Sequence, residues 1–202
     1  MRVGGNLSNT PEMIDEFVYK GNPNEWFEVS NELNASVEIL LKNNGSTYFK
    51  TDTWNEIPVK KVMNSRALFL LMGFTIENLI KGIIVFNKPE NINTGILGNE
   101  IKTHNLIKLL EKIPELEFTQ DELTFVGTIT SAIPDWGRYT SPPKFQDITD
   151  EVLYVDEINI IYKSIRNKLK DNLIEKLKLG WLSGLENERT NVRIIEYVEI
   201  DK

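Results

Sequence analysis

The feature that most constrains this chain is the stretch 58–86, which is apolar on nearly every side at helical period. A helix of that kind needs other helices around it, so it belongs at the centre of the molecule. Pro58 is suited to its first turn, where a missing N–H breaks no bond. The longest unbroken apolar run, 67–74 (ALFLLMGF), is too short to cross a bilayer, and the same helix carries Arg66, Glu77 and Lys81. A core helix is therefore expected, with no membrane involvement.

Helical spacing recurs on both sides of it. From Pro23 or Asn24 to about Lys42, apolar residues at 26, 27, 29, 33, 37, 40 and 41 predict an amphipathic helix, ended by Asn43-Asn44-Gly45. Residues 46–57 read as a connector. A third helix is expected from Thr103, acting as its cap, to the Pro114 break, and a fourth over 119–132. Residues 134–146 read as an ordered loop rich in proline and aromatics. A last helix over about 150–179 carries Ile158, Ile161, Tyr162, Ile165, Leu169, Leu173 and Leu177 as its buried stripe. Beyond it, 192–200 (VRIIEYVEI) is β-branched and partly alternating, which reads as a short strand pairing with Arg2-Val3 or another subunit. The expected fold is all-α: an up-and-down bundle of four main helices with extra helices and that short C-terminal strand.

Composition then removes whole classes of function. The chain has 202 residues, which fits one domain with a core over about 24–180 and an appendage over 181–202. Its 23 basic and 30 acidic residues leave a net charge of −7, which argues against a general polyanion binder. Zero cysteines exclude thiol catalysis, disulfides and thiolate metal sites, and one histidine excludes a multi-histidine centre. No metal and no cofactor are expected. The N-terminal residues lack an apolar signal region, so the expected location is cytoplasmic.

Chemistry-bearing residues concentrate in four places. Arg66, Leu70, Gly73, Glu77 and Lys81 follow a 4-3-4-4 spacing and share one face of the central helix. That face is either its solvated side or a polar seam inside the bundle, because three charges on an apolar helix need water, each other or a ligand. Gly73 suggests close approach of another group. His104, the lone imidazole, sits near a helix start; it either caps or fills a polar niche, or acts with a partner such as Glu77. The hexapeptide 134–139 (PDWGRY) gathers Trp136, Arg138 and Tyr139, a surface suited to stacking on a base or gripping a phosphate, or else a plug for the bundle end. On the last helix, Lys163, Arg166, Lys168, Lys170, Lys176 and Lys178 stand against Asp171 and Glu175, a local +4 that is either a nucleic-acid footprint or a solvated face.

Residues 73–82 (GFTIENLIKG), 103–106 (THNL), Arg166-Asn167 on a closing helix and the loop 136–139 (WGRY) together resemble the HEPN superfamily of small helical bundles. The resemblance spans about residues 24–180. It implies a homodimer with its site at the interface, and roles in RNA cleavage within toxin or defence systems, or in RNA and nucleotide binding beside a nucleotidyltransferase. Active members carry an arginine followed, after four to six intervening residues, by a histidine. Here Arg166 and Asn167 are followed by Asp171 and Asn172 where that histidine belongs. Asparagine cannot exchange protons with a 2′-hydroxyl, and an exposed aspartate is a poor acid at neutral pH. The expectation is a non-cleaving RNA or nucleotide binder using Arg66, Lys81, Trp136, Arg138, Tyr139, Arg166 and Asn167. Two alternatives stand beside it: a metal-independent ribonuclease using His104 and Glu77 as its acid and base, and a regulatory homodimer, antitoxin-like, without ligand chemistry.

Overall fold

A computed structural model describes residues 9–42, 46–49, 59–62, 65–134, 137–138 and 156–198. The fold is an all-α helical bundle. Its helices are α1 (Pro11–Gly21), α2 (Pro23–Lys42), α3 (Ser65–Asn87), α4 (Leu106–Leu110), α5 (Gln120–Ala132) and α6 (Asp156–Leu179).

The central position expected of the apolar stretch is occupied by α3, which packs on α2, α4, α5 and α6. Fifteen of its 23 residues are buried, including Leu68, Phe69, Met72, Ile76, Ile80 and Ile83. By length and composition α3 could cross a membrane, but 78% of its apolar window is buried inside the bundle, which accounts for the apolarity. Gly73 fits the close approach expected of it: a Cβ there would stand 2.5 Å from Ile129 Cγ2 and 3.0 Å from Ile133 Cδ1, so α5 packs almost on the α3 backbone.

The helix starts follow local chemistry. Thr119 and Glu122 form a reciprocal capping box on α5. Glu122 also accepts bonds from Lys168 Nζ and the Ser164 hydroxyl on α6, each at 2.7 Å. Burial alone would raise its pKa; the Lys168, Thr119 and Ser164 bonds together hold the carboxyl below its ordinary value. On α6, Tyr162, Ile165, Leu169, Leu173 and Leu177 of the predicted stripe are fully buried, while Ile158 and Ile161 are partly buried.

Several boundaries differ from the sequence reading. The helix α1 lies outside the helices that the sequence spacing predicts. Thr10 caps it, accepting from the Met13 N–H, and Pro11 opens its first turn. Asn22 then joins it to α2: its Nδ2 donates to the Tyr19 carbonyl, and its Oδ1 accepts from the Asn24 and Glu25 N–H groups. Nor is the start of the central helix where Pro58 suggested. Val59–Val62 is a strand (β2) paired antiparallel with Ser46–Phe49 (β1), Ser46 opposite Val62 and Phe49 opposite Val59, so the expected connector holds one arm of a hairpin. β-Branched and aromatic residues there favour extended backbone over a helical turn. Pro58 itself lies outside the described residues. Helix α4 is shorter than expected, and Asn105 rather than Thr103 caps it, accepting from Lys108 N–H.

The C-terminal residues are a strap rather than a strand. Val192 makes a single isolated bridge with Trp181, and no ladder continues it through Val198. Side chains do the docking instead. Trp181 Nε1 donates to the Val85 carbonyl on α3, Asn187 donates to Asp15 and Arg189 to Glu16 on α1, and Tyr197 meets Phe27 of α2 edge-on at 5.3 Å. The suggested partner Arg2-Val3 lies outside the described residues.

Candidate functional site

The polar stripe of α3 is a buried seam, not a solvated face. Glu77 and Lys81 are each 5% exposed. Lys81 Nζ lies 2.7 Å from Glu77 Oε1, one helical turn away, and 5.7 Å above the ring of Trp26 on α2. The remaining side of Glu77 is met by His104, whose Nδ1 is 3.0 Å from Oε1 and 3.1 Å from Oε2. Sequence spacing alone could not bring these two together, since 27 residues separate them.

The arrangement sets the histidine's tautomer. A carboxylate only accepts, so Nδ1 carries the hydrogen and Nε2 is left on the outer side of the ring. The His104 side chain is 58% exposed, whereas that of Glu77 is 6% exposed. Glu77 is thus placed to orient the imidazole from behind, and His104 is the solvent-facing member of the pair. Thr103 supports the loop locally, its hydroxyl accepting from Asn105 N–H at 3.0 Å.

One turn earlier on α3, Arg138 lies over Phe74, its guanidinium carbon 5.6 Å from the ring centroid. The close approach depends on Gly137, whose N–H donates to the Ala132 carbonyl; a Cβ there would meet that oxygen at 2.5 Å and Leu70 at 2.9 Å. Arg138 is exposed and stacks on the ring instead of pairing with Glu77. Phe74 and Glu77 are three residues apart, about 4.5 Å along the axis. Arg138 and His104 thus reach solvent above neighbouring turns of one helix. Trp136 and Tyr139 lie outside the described residues. Arg66 is half-buried on the first turn of α3.

Arg166 belongs to a different place. It is 8% exposed, and its Nη2 donates to Asn31 Oδ1 on α2 at 3.3 Å. Its Nε is buried with no hydrogen-bond partner. One turn earlier, fully buried Tyr162 donates its hydroxyl to Asn34 Oδ1 at 2.7 Å. Burial, opposed by the Thr75 hydrogen bond and the Arg166 charge, pushes that phenol up to about 12. Asn167, the next residue along α6, is exposed.

The positive face of α6 is largely committed to its own neighbours. Lys163 faces Glu38 at 3.6 Å, Lys168 faces Glu122 at 2.7 Å and Lys176 faces Glu115 at 3.4 Å. Lys170 is buried, at 9% exposure. Less free charge remains for a polyanion than the sequence count of +4 suggested. Among the described residues, no group of three or more His, Asp or Glu side chains is placed to hold a metal ion.

Comparison with protein-family models, with characterised proteins and with solved structures finds no match.

Proposed function

We propose that this chain is a HEPN-like RNA- or nucleotide-binding bundle that engages a phosphate at the edge of α3 and does not cleave through the family's arginine–histidine pair. The observation that supports this most is the pair of exposed groups, His104 and Arg138, standing over adjacent turns of α3 with Glu77 and Phe74 fixing them from behind. A guanidinium held on an aromatic ring is restricted in its rotamers while its donors stay free, which suits a phosphate. Arg166 and the α6 lysines contribute little to this reading, being buried or paired. The same edge would be completed by a second copy of the chain, or by a nucleotidyltransferase or toxin–antitoxin partner.

The Glu77–His104 geometry favours one further reading, metal-independent cleavage. Nε2 would take the 2′-hydroxyl proton as O2′ attacks phosphorus, and the leaving 5′-oxygen would take a proton from water. One experiment separates the two readings: incubation of a mixed RNA pool with chelator present, scoring retention and cleavage for the wild type, Arg138→Ala and His104→Ala. Binding without cleavage, with Arg138→Ala lowering the salt slope by about one, is expected. Cleavage lost in His104→Ala would establish the second reading instead, and retention unchanged in both variants would remove the first.

A further inference from the structure

A second candidate site lies between α1 and the start of α2. Only Val18 of α1 is buried outright, and Met13 is 57% exposed, so the apolar face of this helix is incompletely covered. Beside it is a groove of about 690 Å³ walled by Met13, Phe17, Trp26 and Leu97. That volume is in the range of small-molecule sites, roughly 300–1,000 Å³. The indole is held rigidly: Nε1 donates to the Gly21 carbonyl at 2.9 Å and Lys81 sits against the ring. A fixed hydrocarbon wall loses little entropy when a ligand is laid on it.

The charges lining the groove select the ligand. Glu16 is taken by Lys20 at 3.1 Å and by Arg189 at 2.8 Å, which also satisfies Lys20. Glu12 has no cationic partner among the described residues, and hydrogen bonds from its own backbone N–H and the Thr10 hydroxyl keep its carboxyl below the ordinary value. An apolar groove with one carboxylate that no described cation contacts is complementary to an apolar body with one positive charge. A neutral lipid chain would leave Glu12 unmatched. A second copy of this chain, with its net charge of −7, would bring more acid to it.

We infer that the α1–α2 groove binds a small aromatic or aliphatic molecule bearing one protonated amine, its body against Phe17 and Trp26 and its ammonium at Glu12. The test is calorimetric titration of the full chain with tryptamine, its neutral analogue tryptophol and indole-3-acetate. Tryptamine is expected to bind tightest, tryptophol about three-fold weaker and the acetate weaker still, the range of an exposed ion pair. Glu12→Gln removes the gap between tryptamine and tryptophol without changing tryptophol. Met13→Asp, at an exposed position the fold does not need, weakens tryptophol about ten-fold or more through the lost apolar wall. Equal binding of the three probes, no heat from any of them, or insensitivity to both substitutions would overturn the inference. So would sedimentation showing a dimer that Met13→Asp dissolves, which would assign the groove to a second copy. The RNA-binding edge is read independently through Arg138.

Discussion

Two polar seams flank α3, and they are built differently. On one side the Glu77 carboxylate is shared by Lys81 and His104, so the buried charges answer each other and the cluster ends at an exposed imidazole. Toward α2 and α6, among the described residues, Arg166 has the neutral Asn31 as its one hydrogen-bond partner, its Nε is orphaned, and Asn159 Oδ1 on the same helix is unpaired as well. The first seam is satisfied and open to solvent at one end. The second is buried and only partly satisfied. An ion pair in low dielectric is costly to break, whereas a lone buried cation with a neutral partner is itself an unfavourable arrangement. Polar residues inside one bundle can therefore make opposite contributions, and which sign each makes depends on its partners.

Breaking the first seam should have the largest effect. Glu77→Leu strands the Lys81 ammonium inside the bundle and is expected to lower stability by about 3–5 kcal/mol in chemical denaturation. Combining it with Lys81→Leu should recover most of the loss. A single-variant effect under about 1 kcal/mol would show that water reaches the pair and that the seams are alike.

In the second seam, Tyr162→Phe removes the bond to Asn34 and should lower stability by about 1–2 kcal/mol at neutral pH. The alkaline limb carries the sharper signature. The folded phenol titrates at about 12, above its ordinary value near 10, so the fold holds the proton more tightly than the unfolded chain does. This contribution is complete below about pH 10 and is lost as pH rises toward 12. The part of the wild-type alkaline decline due to this phenol should be missing from Tyr162→Phe; identical pH profiles would mean that Tyr162 is not buried as described.

The smallest change is expected at Arg166. Arg166→Met replaces the guanidinium with an apolar chain of adaptable shape and should leave thermal stability within about 1 kcal/mol of wild type, or raise it. A loss of about 3 kcal/mol or more would place a counter-charge on Arg166 and make the two seams equivalent.

Strong local signals are legible: the helix expected over 119–132 starts at the Thr119 cap, and the α6 stripe is fully buried at Tyr162, Ile165, Leu169, Leu173 and Leu177, with Ile158 and Ile161 partly buried. At Thr10 and Pro11 a cap followed by a proline in the first turn opens α1, a signal that the spacing of apolar residues does not carry. At 58–62 the proline reads as a helix start, whereas the strand there is set by its pairing with Ser46–Phe49, which the pattern of one segment does not contain. His104 stands out in the sequence as the only imidazole, but its contact with Glu77 is one of several that the sequence allows.

What the sequence by itself determined is the content of α3: an apolar surface on most sides and a single stripe holding Gly73, Glu77 and Lys81, because helical period follows from covalent geometry. It also determined the all-α class, through repeated spacings of three and four. Only the tertiary structure decided that the stripe faces inward, that His104 meets Glu77 from outside, and that Arg166 is enclosed by α2. Period assigns residues to a face, but burial and pairing depend on which other elements cover that face, and those contacts join residues far apart in the chain.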